Sequence, residues 1–219
     1  MSGFFSGVNT MLGTIHLTTF ILSGLLLNLY PGQDTMYIIS RSMSQGKKAG
    51  IVSVLGISSG GLIHTLLAGL GLSTILAASN LAFYIIRIIG ALYLLYLGSR
   101  IIFSKHADSI TGTYLKNQTD FQIYKQGLLT NLLNPKVALF FLSFLPQFVN
   151  PENNFGPITF LFLGSIFLCT GTIWCMLAAI FSAAIFDKIK KNEKVTLIFE
   201  KITGILFIGL GLNLIKDKI

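Results

Sequence analysis

Four ionisable side chains lie inside long apolar stretches of this 219-residue chain, and their types suggest what chemistry it could perform. They are Asp34, His64, Arg87 and Lys136. An ionisable group inside a membrane span is costly unless it faces a cavity or a partner, so each is a candidate functional residue. A carboxylate, an imidazole and an ammonium group could move protons or bind the charged ends of a small zwitterion.

Asp34 follows a predicted helix break, because Pro31 cannot continue the helical hydrogen bonds and Gly32 can adopt the backbone conformation that ends a helix. Backbone groups freed at membrane depth are tolerated only where they line a cavity or are buried in protein. A new half-helix from about Asp34 to Ser44 would direct its positive N-terminal end at that cavity, which suits a substrate carboxylate. Asp34 either only caps this half-helix, or also takes up protons or a substrate ammonium group.

A second polar break, Asn131-Leu-Leu-Asn134-Pro135-Lys136, interrupts a later apolar stretch. Lys136 and Asp34 are predicted to lie at similar depth, where they could neutralise each other or hold opposite ends of an amino-acid zwitterion. Alternatively, Lys136 extends its ammonium group to the membrane interface, although the flanking asparagines are unusual in a stretch that only faces lipid. The predicted substrate and proton site contains Gly32, Asp34, His64, Asn131, Asn134 and Lys136.

His64 belongs to a stripe of small residues, with Gly56, Gly60 and Ala68 spaced four apart on one helical face. Such a face allows helices to approach closely, within one chain or between chains, and would direct the imidazole into the bundle. There His64 could relay protons or be a neutral, hydrogen-bonded core residue. Trp174 is interpreted as a packing or interface residue.

The composition indicates which class of protein positions these groups. Hydrophobic residues make up 53% of the chain, charged residues make up 11%, and the mean hydropathy is +0.74. A soluble domain is about 25% charged, so the composition excludes a soluble enzyme, a nucleic-acid module and a disordered chain. No cofactor is indicated, and no metal site is expected because His16, His64 and His106 lie on different elements.

Six apolar stretches are near the length of about 20 residues that a membrane-spanning helix needs. They cover approximately 17–39, 51–78, 81–97, 127–149, 158–186 and 195–215. The predicted fold is therefore an all-α integral membrane protein with six transmembrane helices. Pro31 and Gly32 break the first span, and Pro135 and Pro146 break the fourth.

The distribution of basic residues predicts the orientation of these spans. Twelve of the 16 basic residues lie in three loops on one face of the predicted membrane protein. These are Arg41, Lys47, Lys48, Arg100, Lys105, Lys116, Lys125, Lys188, Lys190, Lys191, Lys194 and Lys201. Because cytoplasmic loops carry the excess of Lys and Arg, both termini are predicted to lie outside. The net charge of +8 therefore marks sidedness and predicts no nucleic-acid partner.

Two short similarities indicate an internal repeat. The segment 87–93 resembles 201–207 at an offset of 114 residues, and Leu29-Tyr30-Pro31 resembles Phe144-Leu145-Pro146 at an offset of 115. Three spans per half would place the halves in opposite orientations, as in several secondary transporters. The predicted plan is one transporter domain, 1–219, with inverted repeats at 1–103 and 125–219 and a cytoplasmic loop at 104–124. Arg87 is either a pathway residue or a snorkelling anchor.

Several motifs resemble the lysine-exporter (LysE) superfamily, most closely its threonine and homoserine exporter (RhtB-like) branch. They are Tyr30-Pro31-Gly32-Gln33-Asp34, Gly90 to Gly98, and the stretch from Gln126 to Phe148, and the resemblance covers most of the chain. It implies a carrier in the bacterial cytoplasmic membrane that expels neutral amino acids or their derivatives, driven by the proton-motive force. The family's Pro-Gly-x-Asp motif transfers to Pro31, Gly32 and Asp34, and its Asn-Pro-Lys motif to Asn134, Pro135 and Lys136.

The expected partners are an amino-acid substrate, protons and the lipid bilayer, and a homo-oligomer is compatible with the glycine-rich faces. The alternative function is a membrane protein of this kind that moves no amino acid, such as an ion pathway or a scaffold subunit for a partner complex. An intramembrane enzyme is disfavoured, because the sequence contains no convergent acid–base or metal-binding group.

Overall fold

The computed structural model describes residues 11–30, 32–74, 79–103, 117–150 and 155–182, together with positions 201, 205, 208, 209 and 212. In these ranges the chain is helical, and extended pairing is confined to one antiparallel bridge between Thr14 and Val149. The predicted all-helical class is therefore confirmed. Pro31, the segment 104–116 and most of the predicted sixth span lie outside the described residues.

Six α-helices fall within or close to the first five predicted spans. In chain order they are α1 Leu17–Leu29, α2 Gln33–Leu67, α3 Asn80–Phe103, α4 Asp120–Leu132, α5 Pro135–Leu139 and α6 Pro157–Ile180. A π-helical turn, Ala68–Leu72, extends α2, and α5 continues into a π-helical turn, Phe140–Phe144, and a 3-10 turn, Leu145–Phe148. Pro146 therefore lies in the 3-10 turn.

Two described segments, Gln33–Leu72 and Pro157–Ile180, are long and apolar enough to cross a membrane. Helix α4 and the segment Pro135–Phe148 are bent by 45° to each other and would form a third crossing if they make one broken span. Lengths and composition in the described part of the chain thus support two or three crossings, and six crossings stay a prediction.

Helix α2 folds sharply back on itself at Gly46, where φ is 84° and ψ is 174°. A Cβ atom built on Gly50 would collide with the hydroxyl of Ser42. Residues eight apart in a straight helix are separated by about 12 Å, so the two arms, 33–45 and 47–67, must run antiparallel. Only glycine readily adopts this backbone conformation. The loop predicted between the first two spans is therefore reduced to a single turn.

Arg41, which the sequence predicts to lie in a loop, connects the first arm of α2 to the start of α4. The residue is only 2% exposed, and its guanidinium group donates hydrogen bonds to the side-chain oxygens of Gln45, Gln118 and Gln126. Arg41 is thus a buried link between two elements and is not a free surface charge.

Glycines bring α2 and α4 into direct backbone contact. A Cβ atom on Gly56 would meet the backbone of Tyr124 and Leu128. From the other side, a Cβ atom on Gly127 would meet the carbonyl oxygen of Ser53 at 2.9 Å. The small-residue face predicted on α2 therefore packs against another helix of the same chain.

The remaining helices complete the bundle around this pair. Helix α6 packs against α2 and α1, and α3 packs against the π-helical turn Phe140–Phe144. At one end of the bundle, the backbone N–H of Ile15 donates to the carbonyl oxygen of Phe148 at 2.9 Å. We name this the Thr14 end, and we name the opposite end, at which α2 turns and α4 begins, the Lys48 end.

We predict that Gly56→Ala lowers the stability of the bundle, because its Cβ atom would overlap backbone atoms of α4 that cannot rotate away. Overpacking of this kind costs about 1–3 kcal/mol. The measurement is the midpoint of thermal unfolding of the purified protein in detergent. Gly71→Ala is the matched control, since a Cβ atom at Gly71 has no neighbour within 4 Å among the described residues. Equal midpoints for the two variants would contradict the prediction.

Candidate functional site

Two helix breaks meet in the middle of the bundle. Helix α1 ends at Leu29 before α2 begins at Gln33, and α4 ends at Leu132 before α5 begins at Pro135. Asn134 caps α5, because its Oδ1 atom accepts a hydrogen bond of 3.0 Å from the backbone N–H of Lys136. Proline suits the first position of α5, where a backbone N–H would have no helical acceptor. The breaks therefore expose backbone and side-chain polar groups at one level.

Asp34 lies in the first turn of α2 and bridges both breaks. Its Oδ2 atom accepts a hydrogen bond of 2.7 Å from Asn131 Nδ2, and its Oδ1 atom accepts one of 3.1 Å from Asn134 Nδ2. The two asparagines are only 4% and 3% exposed. Gly60 on α2 makes room for this arrangement, because a Cβ atom there would lie 2.7 Å from Asn131 Oδ1. The structure thus brings three of the predicted site residues into one hydrogen-bonded group.

Lys136 binds the end of the first broken helix. Its Nζ atom donates to the carbonyl oxygen of Leu27 at 2.6 Å and to that of Tyr30 at 2.9 Å. These carbonyls lie at the C-terminal end of α1, where helical partners run out and a positive charge is favoured. A Cβ atom on Gly32 would lie 3.5 Å from Nζ, so glycine leaves this side of the ammonium group open. The ammonium group is therefore held inside the bundle, and the snorkelling alternative does not describe this structure.

Asp34 and Lys136 line the same cavity without forming an ion pair with each other. Among the described residues one ion pair is found, and it lies on the surface. It joins Lys48 Nζ to Asp120 Oδ2 at 2.6 Å. Direct neutralisation, one of the two alternatives from the sequence, is therefore not the arrangement found here. Opposite charges that are each anchored by other groups remain able to bind a ligand between them.

His64 lies beside this group but does not line the cavity. Its imidazole stacks on the ring of Phe141, with centroids 5.5 Å apart and planes at 15°, and approaches the backbone of Asn131 and Leu132. Its Nε2 atom is buried and has no hydrogen-bond partner in the described part of the chain. His64 thus borders the hydrogen-bonded group without lining the cavity, and a role as proton relay stays a prediction.

The cavity itself has a volume of about 60 Å³, several times the roughly 10–15 Å³ that one water molecule needs. Asp34, Asn131, Asn134 and Lys136 form one part of its wall, beside the N-terminal end of α2. Leu27, Ile57, Val137, Phe167 and Leu168 contribute apolar surface. The cavity therefore combines both signs of charge with an apolar compartment.

Asn28, Ser58 and Thr172 also line the cavity, and the sequence did not indicate them as site residues. The hydroxyl groups of Ser58 and Thr172 lie 2.9 Å apart, and Asn28 Nδ2 donates to Thr170 Oγ1 at 3.1 Å. Trp174 also lines the cavity, although the sequence analysis interpreted it as a packing or interface residue. One signal was available, because Ser58 and Thr172 are separated by 114 residues, the offset of the predicted repeat.

Hydrophobic clusters lie on both sides of the cavity. Toward the Thr14 end an aromatic cluster contains Phe20, Phe140, Phe144, Phe148 and Phe167, with neighbouring ring centroids 3.8–6.3 Å apart. Toward the Lys48 end a smaller cluster contains Ile38, Val54, Ile57, Cys175 and Ala179. Both clusters contribute side chains to the cavity wall, so the polar group lies between two apolar layers.

We predict energetic coupling between Asp34 and Asn134, because Asp34→Ala and Asn134→Ala each remove one partner of the same buried hydrogen bond. A double-mutant cycle, measured by chemical unfolding in detergent, should give a coupling energy of about 1–3 kcal/mol. As a control, Asp34→Ala is combined with Thr119→Ala, which removes the cap at the far end of α4. That pair should be additive, and additivity of the first pair would contradict the assigned hydrogen bond.

Comparisons with known proteins agree with this architecture. The family model described as LysE type translocator matches residues 25–218. The uncharacterized membrane protein YrhP of Bacillus subtilis (strain 168) is 34% identical over 208 residues, which cover 90% of this chain and 97% of that protein. No solved structure matches the chain.

A second group of relatives carries a functional name. The leucine efflux protein of Salmonella typhimurium is 26% identical over 202 residues, which cover 92% of this chain and 95% of that protein. The protein of the same name from Salmonella typhi shows the same identity and coverage. The resemblance of the sequence motifs to the LysE superfamily is therefore confirmed, and the assignment to its threonine and homoserine exporter branch stays a prediction. Because the family match extends over most of its length, the chain belongs to the LysE-type translocator family.

Proposed function

We propose that this protein exports neutral amino acids across the cytoplasmic membrane in exchange for protons. The observation that carries the proposal is a carboxylate and an ammonium group, Asp34 and Lys136, on the wall of one cavity at two helix breaks. An amino acid is a zwitterion with the same two charges in complementary positions. Membership of a translocator family and relatives named as leucine efflux proteins support an amino-acid substrate.

In this proposal each charged end of the substrate has a partner. The Asp34 carboxylate accepts hydrogen bonds from the substrate ammonium group. Asn131 and Asn134 hold the Asp34 carboxylate in place. The substrate carboxylate binds near Lys136 and the N-terminal end of α2, where backbone N–H groups lack helical acceptors. Charge-assisted hydrogen bonds of this type are roughly twice as strong as neutral ones.

The apolar compartment supports a neutral substrate. A charged side chain placed against Leu27, Val137 and Phe167 would lose its hydration without gaining a partner, which is costly. Leucine satisfies this constraint, and threonine or homoserine could place a hydroxyl near Ser58 and Thr172. These three amino acids are therefore the substrates to test first.

Coupling to protons follows from the single carboxylate that the proposal uses. Asp34 can hold a proton or a substrate ammonium group, but one cation satisfies the carboxylate at a time. After the amino acid has left, the site must face the cytoplasm again. If it does so only with a proton bound to Asp34, each amino acid that moves outward is exchanged for a proton that moves inward. This mechanism needs no cofactor.

Alternation between the two sides is proposed to use two inverted repeats of three spans each. Ser58 and Thr172, which bond to each other, are 114 residues apart and would lie on the symmetry axis. At the same offset of 114 residues, Gly50 corresponds to Gly164 and Thr65 corresponds to Ala179. Gly50 lies against Ala179, and Gly164 lies against Thr65, so the two contacts are related by the repeat. This exchange of contacts, together with the same offset in the sequence, supports the inverted repeat.

We predict that Asp34→Asn abolishes energy-dependent accumulation of radiolabelled leucine, threonine or homoserine in everted membrane vesicles, because the proton-exchanging carboxylate is lost. Asp120→Asn, which removes the exposed partner of Lys48, should keep accumulation within about twofold of wild type. Uphill accumulation by Asp34→Asn would overturn the site. Membrane currents without accumulation in the wild type would favour the ion-pathway alternative.

We further predict that the Lys48 end faces the cytoplasm and that both termini lie outside, as the basic loops indicate. In a background with Cys169→Ser, Met11→Cys should react with an impermeant thiol reagent in intact cells. Lys48→Cys should react only after the membrane is permeabilised. Both positions are exposed in the structure, so access is set by sidedness. The reverse labelling pattern would contradict the predicted orientation.

A further inference from the structure

Trp174 is the single tryptophan of the chain and lies on α6 at the wall of the cavity. Its indole packs against the small hydrophobic cluster toward the Lys48 end, which includes Ile38 and Val54. The Nε1 atom is buried and has no hydrogen-bond partner among the described residues. A buried indole N–H ordinarily finds an acceptor, so an orphaned donor on a residue that lines a cavity requires an explanation.

Several other side-chain donors at the cavity already have acceptors. Lys136 donates to two carbonyl oxygens, and the amide groups of Asn131 and Asn134 donate to Asp34. The hydroxyl groups of Ser58 and Thr172 bond to each other. The indole N–H, in contrast, makes no bond within the described part of the protein that a ligand would have to displace.

The chemistry of the indole limits what such a ligand group can be. The Nε1–H group only donates, so it cannot bind an ammonium group and needs an oxygen acceptor. A zwitterionic amino acid with an apolar side chain offers its carboxylate as that acceptor. A hydrogen bond between the indole and a charged acceptor is also stronger than one to a neutral group.

We propose that the Trp174 indole N–H donates a hydrogen bond to the carboxylate of the transported amino acid, which makes Trp174 a specificity-determining residue. This inference rests on the proposed function. It adds Trp174 to the site and names the carboxylate as the substrate group that the site recognises. Amines that lack the carboxylate leave the buried N–H unpaired and are disfavoured as substrates. A site that hydrogen-bonds a substrate group discriminates strongly against an analogue without that group.

The test uses Trp174→Phe in the full-length protein, because phenylalanine keeps an aromatic ring and removes the N–H. In everted vesicles we expect the half-saturating concentration of leucine to rise about 10- to 100-fold. The inhibition constant of isopentylamine, which is leucine without its carboxylate, should change by less than about twofold. If threonine is the better substrate, 1-amino-2-propanol replaces isopentylamine. The matched control is Tyr124→Phe, which removes a hydroxyl that bonds to Ser59 outside the cavity and should leave both constants unchanged.

A second measurement does not depend on the variant. Because the chain has one tryptophan, the emission of the purified wild type reports on this position alone. Leucine or threonine should shift or quench the emission, whereas the decarboxylated amine should not at the same occupancy. Equal responses to the amino acid and the amine would overturn the inference.

The outcomes separate this inference from the proposed function. Transport by the wild type together with an unchanged leucine constant in Trp174→Phe would overturn the role of Trp174 alone. An equal loss for leucine and isopentylamine would assign the indole a packing role and also overturn the inference. Absence of amino-acid transport in the wild type would overturn the proposed function and this inference with it.

Discussion

The structure depends on one constraint, which is that backbone groups freed by a broken helix must find partners inside an apolar bundle. In a membrane no water is available to bind them, and each unpaired group is costly. Lys136 binds the carbonyls at the end of α1, and Asn134 caps the start of α5. Asp34, at the start of the helix that follows the first break, accepts hydrogen bonds from the side-chain amides of Asn131 and Asn134 at the second break. The two breaks therefore stabilise each other.

This mutual satisfaction has a consequence for function. The groups that complete the broken helices are also the charged groups at the cavity wall, so the structural role and the proposed binding role fall on the same residues. The ammonium group of Lys136 and the carboxylate of Asp34 are held in place before a ligand arrives. A site prepared in this way loses little conformational freedom on binding. It also explains why the cavity lies at the level of the breaks, where polar backbone can be exposed.

Close packing around the cavity comes from residues that contribute little or no side chain. Gly56 and Gly127 place α2 and α4 in backbone contact, and Gly60 accommodates the amide of Asn131. Apolar clusters then flank the polar group on both sides. The departure from α-helical geometry between Phe140 and Phe148 lies in the aromatic layer, beside the cavity. Segments of this kind are frequent at functional positions in helices.

Features that depend on local chemistry were readable from the sequence. The lengths of the apolar stretches predicted where most helices lie. Pro135 and the preceding Asn134 predicted a helix break. Asp34 and Lys136 were predicted as candidate site residues because they are charged groups inside apolar stretches. These signals need only a residue and its neighbours, since proline removes a hydrogen bond wherever it occurs and a charge is costly in any apolar span.

Other features were decided only by the tertiary structure. The partners of Lys136 are carbonyls more than 100 residues away, and Ser58 meets Thr172 across the bundle. A loop was predicted between the first two spans, but α2 reverses direction there at the single residue Gly46. Arg41, predicted in that loop, is buried among three glutamines. The sequence determined which groups had to be satisfied, and the packing of distant helices determined which groups satisfy them, because hydrogen bonding is set by positions in space.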